Sequence, residues 1–396
     1  MAIVKLAEVC EKIGSGATPR GGKEAYCDEG ISLVRSQNVL DFNFSKEGLA
    51  FINDEQAKKL SNVEVHSGDV LLNITGDSVA RACLMDDDYL PARVNQHVTI
   101  IRGNSHKIMN GYVLYYLQWR KEYLLQLASA GATRNALTKA MIEQLELDLP
   151  PLDSQQQIVA ILDSLQSKIQ LNQKINDNLE QQAQSYFQEL FVDNASPEWT
   201  TGTISDLGTV VGGSTPSKAK PEYYTESGIA WITPKDLSNN KSKFVSHGEN
   251  AITELGLRNS SASIMPEGTV LFSSRAPIGY IAIAAGEVTT NQGFKSVVPK
   301  PEIGTPFVYF FLKNTLPVIE GMASGSTFKE VSGSTMKNVP AVIPDAETLA
   351  KFSDFCAPIF AQQRILEEQN QSLATLRDNL LPKLMSGEID VSAVQL

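Results

Sequence analysis

The chain has 396 residues, 42% of them hydrophobic and 20% charged, which is room for two or three domains of ordinary globular composition. Its net charge of −11 speaks against a general basic coat for nucleic acid, but the acidity is unevenly spread. Residues 1–150 carry 16 basic and 19 acidic side chains and 197–344 carry 12 of each, whereas 151–196 and 345–396 together carry 6 basic and 14 acidic. The surplus therefore belongs to the last two segments, and a local basic face remains open to the first two. The four cysteines (Cys10, Cys27, Cys83, Cys356) form no C-x-x-C pair and do not cluster with His66, His97, His106 or His247, so neither a disulfide framework nor a metal site is expected. MAIVKLAEVCEK has no signal-peptide core, and no apolar run nears the roughly 18 residues of a membrane span. A cytoplasmic protein is the expectation.

Taken in order, the chain repeats itself. Leu6 to Val9 lines up with Ile204 to Leu207, and the loop GSGATP (Gly14 to Pro19) with GGSTP (Gly212 to Pro216). Each reads as a short strand or turn leading into a Gly-rich loop closed by Thr-Pro. Gly30 to Arg35 matches Gly228 to Thr233, an apolar run of strand character, and Ser67 to Leu72 matches Glu267 to Phe272, a turn into a strand. Asn95-Gln96 matches Asn291-Gln292. Tyr112 to Leu117 matches Phe307 to Leu312 in helical context, an aromatic run better suited to a core than to stacking. Leu149-Pro150 and Ile343-Pro344 close the two copies as strand exits before a helix.

Each copy is followed by a long amphipathic segment. From Ser154 to Phe191 the 4-3-4-3 spacing picks out Ile158, Leu162, Leu165, Ile169, Asn172, Asn176, Leu179, Ala183, Tyr186 and Leu190 as one seam. A shift of 194 residues yields Phe352, Cys356, Ile359, Gln363, Leu366, Asn370, Leu373, Arg377, Leu380 and Leu384, with no insertion. The first segment would make a helix of roughly 38 residues, about 57 Å long, whose apolar seam needs a partner. The matching helix is the natural one. Because the first helix leads from one copy to the next, the second must return for its seam to be covered, so the pair should be antiparallel with an approximate two-fold axis. Asn172 should then face Asn370, and Asn176 should face Leu366. Pro358 should kink the second helix or delay its start.

The expected architecture is therefore α+β: two similar globular domains, residues 1–150 and 197–344, separated by two long antiparallel helices with pseudo-two-fold symmetry. The helices occupy 151–196 and, with a C-terminal tail, 345–396.

No motif of chemistry stands out. There is no G-x-x-x-x-G-K-[ST], no G-x-S-x-G and no H-E-x-x-H, and the loop at Gly14 lacks the third glycine and the βαβ setting of a dinucleotide site. No D-P-P-Y-like tetrapeptide for an extruded adenine is present. No catalytic residue, metal ligand or cofactor is expected on this chain. What recurs is polar loops at equivalent places. In the first domain these hold Thr18, Arg20, Arg35, Gln37, Asn38, Asn73, Thr75, Arg81, Asn95, Gln96, Arg134 and Asn135. In the second they hold Thr215, Lys218, Lys220, Lys235, Ser274, Arg275, Asn291, Gln292 and Lys329. Arg, Asn, Gln and Ser can pair with base edges, and Lys and Thr suit phosphates. Two domains of one fold with different loops would read two different short sequences on double-stranded DNA. A scaffold that bridges two identical partners without touching DNA would share the helices but would not need divergent loops.

LRDNLLPKLMSGEIDV (Leu376 to Val391) resembles the C-terminal signature of the specificity subunits of type I restriction-modification systems. LDLPPLDSQQQIVAILDSL (Leu147 to Leu165) is similar to that family's entry into its central conserved helix. The resemblance covers essentially the whole chain. It implies two target-recognition domains held by two conserved helices and a DNA site in two parts, one read by each domain. It also implies two methyltransferase subunits, which bring S-adenosylmethionine, and further translocating restriction subunits. This sequence departs from the pattern at Phe352-Ser353-Asp354-Phe355, where the first helix has Ile158-Val159-Ala160-Ile161, and in lacking a second proline after Pro344.

Overall fold

A computed structural model describes residues 2–19, 21–129, 135–275, 277–325 and 329–391. The chain forms two compact units, one of residues 1–169 with 372–396, the other of residues 170–371.

In the first unit, the strands Cys10–Ser15, Val98–Gly103, Val70–Asn73 and Ala82–Leu84 make an antiparallel sheet in that order. A second sheet has the order Ala50–Ile52, Ile31–Val34, Ala92–Val94, Glu64–Val65, and its central pair, Ile31–Val34 with Ala92–Val94, is parallel. A two-stranded ladder joins Ala2–Lys5 to Glu146–Leu149. The strand Val70–Asn73 shows why its sequence, Val-Leu-Leu-Asn, is apolar without alternation. Successive side chains point to opposite faces, so Val70 and Leu72 enter one core and Leu71 enters another. The first core also takes Tyr112, Tyr115, Tyr116 and Leu117 from the helix Asn110–Trp119, with Ile158, Leu162, Leu381 and Leu384 from the long helices.

The second unit repeats this order. The strands Gly208–Gly212, Lys295–Pro299, Val270–Phe272 and Ile281–Ala284 match the first sheet, with Phe244–Val245 added at the edge. Asn250–Ile252, Ile229–Ile232 and Thr289–Thr290 match the second, again with a parallel pair, Ile229–Ile232 with Thr289–Thr290. Thr200–Thr203 pairs with Pro340–Ile343. Val270 and Phe272 again face one core and Leu271 another. The segments Leu6–Val9 and Ile204–Leu207, expected to be strand or turn, are single helical turns. Each is pinned by a backbone bond from its first residue, Leu6 to the Leu145 carbonyl and Ile204 to the Val339 carbonyl.

The Gly-rich loops follow a packing demand. A Cβ on Gly16 would lie 1.7 Å from the Val94 carbonyl oxygen, and one on Gly213 would lie 2.0 Å from that of Asn291. Only glycine lets the loop cross the parallel strand pair so closely.

The long helices run Leu152–Gln188 and Ala346–Met385. The first closes in a π turn, Glu189–Asp193, three residues short of the α-helical end expected at Phe191. All twenty seam positions read from the sequence are buried or half-buried. In the second unit the helices are antiparallel: Asn172 donates to Asn370 at 2.9 Å, Gln363 donates to the Asn176 carbonyl at 3.2 Å, and Tyr186 meets Phe352 at 6.1 Å between ring centroids. Asn176, expected to face Leu366, is bonded one turn away to Gln363, donating to its carbonyl and accepting from its side chain at its own carbonyl, because Gln363 has the length and polarity to bond a helix backbone. Nor does Pro358 delay the helix, which starts twelve residues earlier at Ala346 and runs through. Pro358 and Asp354, the residue whose carbonyl loses its partner, are both exposed, while Phe352, Cys356, Ile359 and Phe360 are buried around them. The freed carbonyl therefore belongs to the exposed face, and the apolar seam holds the helix on either side.

Candidate nucleic-acid interface

Three loops of the first unit converge on an open groove of about 490 Å³, lined by Ser36, Gln37, Thr75, Gly76, Asp77, Ser78, Arg81 and His97. The strand ends explain the convergence. Val34, Asn73 and Val94 each finish a strand at the same edge of the two sheets, so the following residues meet there. Arg35 anchors its loop by donating from Nη2 to the Gly48 carbonyl, and Gln37 donates from Nε2 to the same oxygen at 2.9 Å. Thr75 Oγ1 lies 2.7 Å from His97 Nδ1, and Gln96 Nε2 lies 3.1 Å from His97 Nε2. Thr18 donates to Gln96 Oε1. Asn135 is exposed beside this site, and its carbonyl accepts from Gly76 N–H at 3.1 Å. Arg20 and Arg134 lie outside the described residues.

Several expected readers turn out to be framework. Asn38 is fully buried, and donates to the Ser45 and Glu47 carbonyls while accepting from Arg35 N–H. Asn73 is fully buried and donates to the Ser36 and Val39 carbonyls. Asn95, nearly buried, accepts from His97 N–H, and Asn291 does the same for Gly293. Ser274 is fully buried and donates to the Gly293 carbonyl. These are corrections with one cause. A short polar side chain just after a strand satisfies backbone groups that the turn leaves unpaired. That use looks identical in sequence to base reading.

In the second unit the equivalent loops carry other chemistry. Thr215 donates to Gln292 Oε1, as Thr18 does to Gln96. Where the first unit has His97, the second has Gly293, and near Thr75 in the pattern stands Arg275, exposed and paired to Glu330 at 3.1 Å. Lys218 and Lys329 are exposed. Lys220 lies 3.7 Å from Glu222, and Lys235, projecting from the turn that Thr233 caps, lies 2.8 Å from Glu249. Burial pushes Lys295, behind Arg275, below its usual range.

Behind each set of loops a strap ties the head to the long helices, and these residues escaped the sequence reading. In the first unit Phe42 takes a left-handed conformation, φ 60°, that bulky residues rarely adopt. Its ring lies 4.1 Å under the Arg377 guanidinium, which in turn donates to Gln166 at 2.6 Å. In the second unit Lys243, almost wholly buried, reaches Glu180 at 2.7 Å and Gln363 at 2.8 Å, with its ammonium 3.6 Å from the Phe360 ring centroid. Burial by itself would raise the Glu180 carboxyl, but Lys243 and Lys313 outweigh it and hold the group at about 2. The signals in the sequence were Arg377 and Gln363, polar groups at seam positions.

Among the described residues no three of His, Cys, Asp and Glu are grouped to hold a metal ion, and no helix is long and apolar enough to cross a membrane. The family model for the type I restriction modification DNA specificity domain matches twice, at residues 1–181 and 197–376. The MjaIX specificity subunit of Methanocaldococcus jannaschii is 39% identical over 191 residues, which are 46% of this chain and 44% of that protein, so the chain spans less than half its length in that match. The HindI specificity subunit of Haemophilus influenzae is 24% identical over 91% of this chain and 94% of its own. A type I restriction-modification S subunit from M. genitalium, solved by crystallography, has the same fold, with TM-score 0.56 and 16% identity over 97% of this chain and 96% of that one. With two copies of one recognition fold, two paired seams and a family model that matches both halves, the chain belongs to the DNA specificity subunits of type I restriction-modification systems.

Proposed function

We propose that each globular head reads one part of a two-part DNA site, and that the long helices set the stretch of unread bases and dock two methyltransferase subunits. The observation that carries this reading is the pairing of conserved framework with exchanged side chains. Asn95 and Asn291 turn the same corner, and Thr18 and Thr215 hold the same glutamine. Around them His97 gives way to Gly293, and Thr75 to Arg275. A bridging scaffold has no use for that exchange. In this reading Thr18, Gln37, Thr75, Arg81, Gln96 and Asn135 serve the first part of the site. Thr215, Lys218, Lys220, Lys235, Arg275, Gln292 and Lys329 serve the second. Leu171, Ile175 and Ile365, large apolar side chains exposed on the long helices, offer partners a surface.

The chain carries no step of the chemistry in this scheme. Methyl transfer, with its S-adenosylmethionine, falls to the methyltransferase subunits, restriction to further subunits, and the assembly works on cytoplasmic DNA. Because the acidic surplus lies in the helical segments, the DNA between the two parts needs basic surface from the partners. Gel shifts at low and physiological salt, with and without the cognate methyltransferase, test the scheme. Weak, salt-sensitive binding by the chain alone and much tighter binding with the partner are expected. An unchanged dissociation constant on adding the partner would sink it.

A further inference from the structure

We infer that Gln96 reads an adenine in the major groove and that His97 is the positioning residue that holds its amide in place. The inference rests on the first head being a DNA reader and adds which base one of its side chains selects.

A glutamine amide offers two lone pairs on Oε1 and two hydrogens on Nε2. Thr18 donates its hydroxyl proton to Oε1 and takes one lone pair. An amide nitrogen has no lone pair to accept with, so the 3.1 Å contact between Gln96 Nε2 and His97 Nε2 is a bond from glutamine to imidazole. In that arrangement His97 Nε2 accepts and its Nδ1–H donates to Thr75 Oγ1 at 2.7 Å; the reversed amide with the opposite tautomer bonds the same three groups, and either way Gln96 keeps one acceptor and one donor. What Gln96 has left is one acceptor on Oε1 and one donor on Nε2. Gln96 is exposed, so both are available to a ligand.

One acceptor beside one donor is the complement of adenine's major-groove edge, which donates from N6 and accepts at N7. Guanine shows two acceptors there and would set O6 against Oε1. Flipping the amide would only set Oε1 against N7, also an acceptor; Thr18 and His97, one at each end, hold the side chain where it presents that edge. The second head supplies the contrast. Gln292 is held at Oε1 by Thr215, its neighbour is Gly293, and its Nε2 has no partner among the described residues. Gln96 is held at both ends of its amide, and Gln292 at one.

The experiment uses the full chain assembled with its methyltransferase, and duplexes of its own mapped site in which each base pair is replaced in turn. At one A·T pair of the first half-site, replacement by G·C should weaken wild-type binding about 5- to 150-fold. Q96A should lose that preference at this pair alone and keep those elsewhere. H97G should reduce it, and H97Q, which restores a hydrogen-bonding partner, should recover part of it. If Q96A keeps the wild-type profile at every pair while R81A still weakens binding, the assignment of Gln96 is overturned and the first head remains a reader. If both substitutions are silent, the first head does not touch DNA there and both readings fall.

Discussion

Asn172 donates from Nδ2 to Oδ1 of Asn370 at 2.9 Å, at equivalent places in the two long helices less a step of four residues. Asn172 is fully buried, and its own Oδ1 is without a partner among the described residues. The pair is poor as a source of stability and useful as a register mark, because any slip would set each amide against an apolar neighbour.

Replacing one member should therefore hurt and replacing both should not. N172L should lower unfolding stability by about 1–3 kcal/mol, since it removes the donor that Asn370 Oδ1 accepts from inside the seam. N172L/N370L should recover that loss while relaxing the register. Urea midpoints measure the first effect, and a broadened distribution of gap lengths in methylation mapping measures the second. A single variant as stable as the parent would remove the register role.

The strap of the second unit predicts an acid effect of definite sign. Glu180 ionises at about 2 in the folded chain against its usual 4.5. Its stabilisation is thus fully present above pH 4.5 and is lost as pH falls from there towards 2. E180Q should cost roughly 3–5 kcal/mol at pH 7 by leaving Lys243 buried without a carboxylate, and its stability should fall less steeply across that acid window. Glu367, raised by burial and in smaller part by Glu180, works in the opposite sense, so the difference between the two pH profiles reports Glu180 together with its effect on Glu367.

Framework and reader residues should separate cleanly. N73A, which frees the Ser36 and Val39 carbonyls inside the head, should lower stability by about 1–3 kcal/mol with base preference unchanged. R81A should leave melting unaltered, weaken DNA binding, and reduce the salt slope by about one if the contact is to phosphate. Parallel thermal melts and salt titrations would show the split. A changed base preference in N73A would return Asn73 to the readers.

Lengthening should act on the gap alone. Seven residues added to each long helix in register extend it by about 10.5 Å, close to three base pairs of duplex. Sequencing of methylated sites should show both half-sequences retained and the gap enlarged. Changed half-sequences with the old gap would contradict the role given to the helices.

The repeat was legible because a seam of twenty positions at constant offset leaves a periodic trace that loops cannot erase. The heads were legible only as recurring fragments. Their sheets bring residues 31–34 beside 92–94, and 229–232 beside 289–290, a separation that no local pattern encodes. The polar loop residues divided less well. Gln96 and Asn95 are adjacent and equally polar, yet one faces solvent and the other turns a backbone corner.

From its residues alone the chain declared two copies of a domain, a helix after each, and where the acidity lies, since periodicity and composition survive without coordinates. Tertiary structure decided which polar side chains are spent inside, that Phe42 and Lys243 strap the heads to the helices, and that an imidazole stands behind Gln96 but not behind Gln292. Those outcomes depend on hydrogen-bond partners distant in sequence, and only the folded backbone brings such partners within 3 Å.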